Sequence, residues 1–342
     1  MKRRAAAILA SLALAQGCSQ PAEEEPAAEL GPPISVPDDF PPLPVPDDNE
    51  PTAARVALGR TLFYDERLSR TEEVSCASCH VQQYAFADPN RVSSGVEQRT
   101  GTRNAPALVN MAYDTSFFWH GGVPSLELQA LGPIKNPLEM DMALADVAER
   151  LSADPAIARA FDEAYGEPPS EFTISRAVAS FVRSLISGQS PFDRYQRGEL
   201  EALSEGALRG KAIFEDERGE CFHCHVGFNF TNNGFRNNGI AASDPDIGRA
   251  EITNKTSDEG KFKVPTLRNV GVSAPYMHDG SLATLEDVIE HYDQGGRGHV
   301  NTDPTVQPLE LTDADKADLV EFLHALTDQA FLTDSRYADP EP

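Results

Sequence analysis

The sequence holds five cysteines, and four of them fall in two copies of one pattern. Cys76, Cys79 and His80 read C-x-x-C-H, and Cys221, Cys224 and His225 repeat it further along the chain. Two thiols at this spacing can add to the two vinyl groups of a haem as thioethers, and the adjacent histidine then supplies the proximal nitrogen to iron. Covalent attachment suits an exported protein, because the cofactor cannot be lost by dissociation. The competing chemistry for a pair of C-x-x-C motifs is a four-thiolate zinc site. Two complete C-x-x-C-H copies, each behind a similar helix and both downstream of an export signal, point to two c-type haems. The fifth cysteine, Cys18, lies near the N-terminus, so no pair is left for a disulfide between distant elements.

Haem alone does not fix a function. Two closed, six-coordinate irons make a non-catalytic electron-transfer cytochrome. Peroxide chemistry needs one iron with an open face and a group that moves a proton between the two peroxide oxygens.

The segments that must position these motifs read as helices. "ISRAVASFVRSLI" places Ile174, Ala177, Val178, Phe181 and Leu185 on one helical face. Thr312 and Asp315 form a capping box ahead of Leu319, Phe322, Leu323 and Leu326. In "TLEDVIEHY", Thr284 and Asp287 form another, and Leu285, Val288, Ile289 and Tyr292 follow at i, i+3, i+4 and i+7. That spacing turns Tyr292 inward and leaves His291 off the stripe. "LGRTLFYDERLS" precedes the first motif and "RGKAIFEDERGE" the second, with Leu62-Phe63 matching Ile213-Phe214 and Asp65 matching Asp216. Each half thus runs helix, C-x-x-C-H, long loops, helix, an all-α shell around a cofactor built twice. Residues 226–262, rich in Gly and Asn, read as a long loop, and no run of alternating strands stands out.

The 342 residues suffice for two or three domains and a buried core. With 54 acidic against 29 basic side chains the formal net charge is −25. Nucleic acid is excluded as a partner, because that affinity rests on Lys and Arg meeting phosphates; a basic protein partner would be steered to this surface. The N-terminus, "MKRRAAAILASLALAQGC", has a cationic start and an apolar run too short to span a bilayer, which fits an export signal over 1–17. "LAQGC" resembles a bacterial lipobox with Cys18 as the lipidated residue, although Ala15 stands where that pattern prefers Leu. Such a lipid would be the one membrane attachment. Residues 18–51, rich in Pro, Glu, Asp and Ala, read as an extended, flexible tether.

In the order and spacing of "LGRTLFYDERLS", "CASCH", "RNAPALVN", "FFWHGG", "LGPIKNPLEM", "CFHCH", "KVPTLRNV", "APYMHDGS" and "TLEDVIEHYDQGG", residues 52–326 resemble the bacterial di-haem cytochrome c peroxidase and MauG family. The resemblance implies two cytochrome c-like haem domains with long loops, one calcium ion between the haems and, by analogy, a homodimer. It implies that His80 is proximal ligand of the peroxidatic haem and His225 of the electron-transfer haem. Glu139 in "NPLEM" matches the distal acid-base carboxylate, and Pro133 a proline that shapes the same pocket. Trp119, the only tryptophan, matches the indole that relays electrons between the haems; His120 after it is a loop histidine. Val96 stands where many members have a distal His, and no His occurs between His80 and His120. Valine cannot ligate iron, so this haem would be open, as in the MauG branch. Tyr292 matches the second axial ligand of the other haem, which is Met in many peroxidases and Tyr in MauG-type members; Met277 in "PYMHDG" is the competing ligand. Asn104 would give calcium a side-chain oxygen, and Ser273 and Pro275 their carbonyls. His278 would orient a propionate.

The reading is therefore a periplasmic di-haem peroxidase that reduces hydrogen peroxide with electrons from a small cytochrome c or a copper protein. The alternative within the family is a MauG-type oxidase that modifies a residue of a partner protein. The expected division is 52–200 for the peroxidatic half, 201–330 for the electron-transfer half, and 331–342 as a tail.

Overall fold

The computed structural model describes residues 34–243 and 245–340. The export signal, Cys18 and the first part of the tether lie outside the described residues. Eleven helices carry the described fold: α1 (Ala53–Tyr64), α2 (Leu126–Lys135), α3 (Leu144–Ser152), α4 (Pro155–Tyr165), α5 (Glu171–Ser184), α6 (Pro191–Gln196), α7 (Glu205–Phe214), α8 (Ala250–Thr253), α9 (Leu285–Asp293), α10 (Asp313–His324) and α11 (Gln329–Thr333). Among the described residues, extended structure is one antiparallel ladder of two-residue strands, β1 (Phe235–Arg236) and β2 (Phe262–Lys263). Among the described residues, the 226–262 loop thus contains β1, α8, a 3₁₀ turn at Thr256–Asp258 and the start of β2, and is otherwise irregular. No described helix is long and apolar enough to cross a membrane.

The sequence repeat is a repeated helix crossing. α1 packs on α5 and α7 on α10, each through a glycine. A Cβ on Gly59 would lie 1.9 Å from the Ala177 carbonyl oxygen, and one on Gly210 would lie 1.9 Å from that of Asp318. Only a missing side chain allows backbones this close. Each crossing carries an aromatic triad. Ring centroids are 5.1 Å apart for Phe63–Phe181 and 5.2 Å for Phe214–Phe322. Phe86 completes the first triad and Phe230 the second. These rings seed two separate hydrophobic cores, one built on α1–α5 and one on α7, α9 and α10.

The capping boxes at Thr284/Asp287 and Thr312/Asp315 are formed and start α9 and α10. α5 departs from the single-face expectation. Every residue from Thr173 to Ser184 except Arg176 is buried, because α1 and α2 cover opposite sides. Its Arg183 is neutralised by Glu127 at 2.8 Å, as a buried charge requires.

Two segments differ from expectation. Residues 34–51 are not a free tether. Phe40 is buried against Tyr113 and Phe228, with the Arg268 guanidinium 4.7 Å from its ring centre. Asn49 is fully buried and donates to Glu127 Oε1 and the Arg176 carbonyl. One aromatic ring and one satisfied amide anchor a segment that its composition marks as solvated. Residues 331–340 of the expected tail also return to the body; 341–342 lie outside the described residues. Phe331, Leu332 and Tyr337 join the N-terminal core, and Gln82 and Arg60 donate to backbone carbonyls of residues 331–339.

A buried polar knot joins the two halves. Asp328 Oδ2 accepts from Ser187 Oγ and from the Gly188 and Gln189 amides. Asn269 bonds both Ser187 Oγ and the Asp328 amide, and Asn110 binds Ser187 from the other side. Every partner is paired, which makes such a network rigid.

Candidate active site

The two motifs present the same local geometry. His80 Nδ1 lies 2.7 Å from the Phe86 carbonyl and His225 Nδ1 2.9 Å from that of Phe230. Each ring thus donates its Nδ1–H to backbone and keeps Nε2 as the lone-pair donor, the tautomer a metal ligand needs. Both accepting carbonyls belong to the phenylalanines of the aromatic triads, so each helix crossing fixes its own histidine. Burial holds both imidazoles below the usual histidine pKa, which favours the neutral, ligating form. None of the four motif cysteines is paired in a disulfide. Burial pushes Cys76 and Cys221 up to about 12.

An apolar cavity is lined by Cys221, Cys224, His225 and Tyr292, and also by Asn104, Trp119, Ser273, Pro275, Met277 and His278. Its apolar lining, with the Cys221 and Cys224 thiols beside the His225 imidazole, fits a haem. Leu285, Val288, Ile289 and Tyr292 of α9 all face it, as their spacing predicts. Burial pushes the Tyr292 phenol up to about 12. His291 differs from expectation: it is buried too, with Nε2 2.9 Å from the Asn238 carbonyl. The helix thus buries a flank wider than the apolar stripe, because the 237–240 loop covers its polar edge.

Met277 also lines the cavity. Asn238, which no sequence signal marked, donates from Nδ2 to Met277 Sδ at 3.0 Å and to Tyr292 Oη at 3.4 Å. Trp119 Nε1 donates to the Asn104 carbonyl at 2.8 Å, and the Lys263 amide donates to the Trp119 carbonyl. The Asn104 side-chain nitrogen is spent on loop carbonyls, the best being Asn90 at 2.9 Å, and its Oδ1 takes no hydrogen bond among the described residues. The Ser273 and Pro275 carbonyls likewise take none. All three residues line the cavity, and oxygens of this kind suit a hard cation. His278 is buried and stacks on Phe262, ring centres 3.7 Å apart. His120 accepts the Gly122 amide and stays a loop histidine.

At the first motif, Glu139 sits in the turn after α2. Its carboxyl is held by Asn136 at 2.7 Å, and burial raises its pKa above the usual glutamate value. Its charge reaches Cys76 and Cys79, adding to burial in pushing both thiols up. Pro133, in the last turn of α2, accepts the Met140 and Asn136 amides and so bends the chain that carries Glu139. Val96 is fully buried, and its amide donates to the Glu139 carbonyl at 2.7 Å. The loop that could carry a distal ligand is thereby stitched to the turn that carries the carboxyl. Gly95 makes the contact feasible, since a Cβ there would lie 2.2 Å from the Leu138 oxygen and 2.4 Å from that of Glu139.

Comparison with known proteins places this arrangement. Residues 53–201 match the family model of di-haem cytochrome c peroxidase, and residues 207–327 that of cytochrome c. A methylamine utilization protein MauG of Methylorubrum extorquens is 39% identical over 282 residues, covering 81% of this chain and 79% of that protein. A cytochrome-c peroxidase IdrP1 of a Pseudomonas species is 31% identical, covering 94% and 91%. A crystal structure of a MauG-like protein associated with microbial copper homeostasis superposes with a TM-score of 0.85 at 35% identity, covering 89% of this chain and 98% of that one. The chain belongs to the di-haem cytochrome c peroxidase and MauG family, oxidoreductases with two c-type haems.

Proposed function

We propose that the protein cleaves hydrogen peroxide at the first motif and draws electrons through the second. The observation that carries this is the half-buried Glu139 carboxyl, whose charge acts on the Cys76 and Cys79 thiols, with a buried, non-ligating Val96 where the resemblance expects an inhibitory histidine. When bound, the two haems supply redox-active irons, the first of them an open coordination position. His80 and His225 would ligate those irons, and Tyr292 would be the further ligand of the second. Glu139 takes the proton of the peroxide oxygen nearest the first iron and returns it to the departing oxygen, which leaves as water. Asn136 keeps the carboxyl aimed at that position. Trp119 lines the cavity and would relay electrons between the haems. Asn104, Ser273 and Pro275 hold calcium, and Trp119 donates to the same Asn104. His278 orients a haem propionate.

The two cores support a peroxidatic half over 52–200 and an electron-transfer half over 201–330. The acidic surface suits a basic donor, a small cytochrome c or copper protein. Export to the periplasm, a lipid on Cys18 and a homodimer complete the proposal. Val96 and the cavity-facing Tyr292 favour, as a second reading, MauG-type oxidation of a partner protein by the same peroxide chemistry. Electron paramagnetic resonance of the oxidised holoprotein tests the proposal. One high-spin haem is expected without prior reduction; two low-spin haems would refute the open site.

A further inference from the structure

The C-terminal cavity offers two candidate iron ligands, Tyr292 and Met277, and one side chain touches both. Asn238 Nδ2 carries two protons; Met277 Sδ lies 3.0 Å away and Tyr292 Oη 3.4 Å away, so each acceptor can take one. The amide is not a passing surface contact. Its Oδ1 accepts the Ile240 amide, and its backbone carbonyl accepts His291 Nε2 from the same helix that carries Tyr292. Flanking bonds fix the loop: Asn237 binds the Gly239 amide and the His299 ring, and the Gly239 carbonyl accepts the Arg297 amide. The donor is thus held in place before any ligand binds.

We propose that Asn238 is a positioning residue that sets the redox potential of the C-terminal haem, by donating one N–H to the Tyr292 phenolate while occupying Met277 with the other. The proposal rests on Tyr292 being the ligand. A phenolate stabilises oxidised iron, and a hydrogen bond into its oxygen withdraws electron density and weakens that preference. Asn238 therefore holds the potential above what a bare tyrosinate would give, with no change of ligand.

The test is a redox titration of both haems in the holoprotein, alongside its optical spectrum, for wild type, Asn238→Ala and Asn238→Asp. Asn238→Asp keeps the shape and the acceptor for Ile240 but replaces the donor with an anion. The C-terminal potential should fall in Asn238→Ala and fall further in Asn238→Asp, with the N-terminal haem unmoved. A packing role predicts instead that Asn238→Asp matches wild type. That result, no shift in either variant, or equal shifts of both haems would overturn the proposal. A methionine–iron charge-transfer band in the wild type that vanishes in Met277→Leu would overturn the Tyr292 assignment itself, a separate failure.

Discussion

Glu139 carries the chemistry at the scale of single residues, and its environment makes a sharp expectation. It must be ionised to take a proton, and burial raises its pKa. Peroxide turnover should therefore fall as pH drops through a value above the ordinary glutamate range. Glu139→Gln should lose that acid limb and about 10²–10⁴-fold in peroxide cleavage, the usual contribution of a positioned acid-base group, with both haem spectra intact. A pH–rate profile of the two proteins checks this. The residues that matter most here were legible in the sequence because their types are rare and their spacing is local. The C-x-x-C-H pairs need no fold to be read, and the missing histidine before His120 is a fact of composition. Asn238 was not legible. An asparagine in an Asn-rich loop carries no mark, and its two acceptors lie 39 and 54 positions further along the chain.

Elements decide whether those residues meet. The helix that presents Tyr292 could be read from its capping box and apolar spacing, and all four stripe residues face the cavity. The burial of His291 could not, because a loop from 237–240 covers it, and loop packing leaves no periodic trace. The turn holding Glu139 depends on a similar contact. Val96 bonds its carbonyl, and Gly95 lets the two backbones approach to a distance no Cβ tolerates. Gly95→Ala should push the turn away and reduce peroxide turnover by at least tenfold. The C-terminal haem's spectrum and potential should stay as in wild type, which a spectroelectrochemical titration beside the activity assay would show. A variant with full activity would mean that the turn is free to yield.

At the scale of the whole molecule, two cores are held in one relation by the Asn110–Ser187–Asn269–Asp328 knot, by the docked 34–51 segment and by the returning tail. Composition misled here. A Pro- and acid-rich segment looks solvated, yet Phe40 and Asn49 each bury completely enough to fix it. The knot is invisible to local reading because its members are common polar residues brought together only by the fold. Asp328→Ala would leave the Ser187 hydroxyl and the Gly188 amide buried without their acceptor, and would take the same acceptor from the exposed Gln189. Unsatisfied groups of this kind cost about 1–3 kcal/mol each, so a loss of about 3–5 kcal/mol is expected, read as a lowered midpoint in denaturant unfolding. The central claim concerns the molecule as one redox unit, in which an open first site reacts with peroxide and the second delivers electrons to it. Stopped-flow absorbance of the oxidised holoprotein mixed with hydrogen peroxide tests it most directly. The account predicts a rapid change without prior reduction and a much slower change in Glu139→Gln; bands of both haems responding would favour the MauG-type reading over the peroxidase. A spectrum that stays unchanged until an electron is supplied would contradict it.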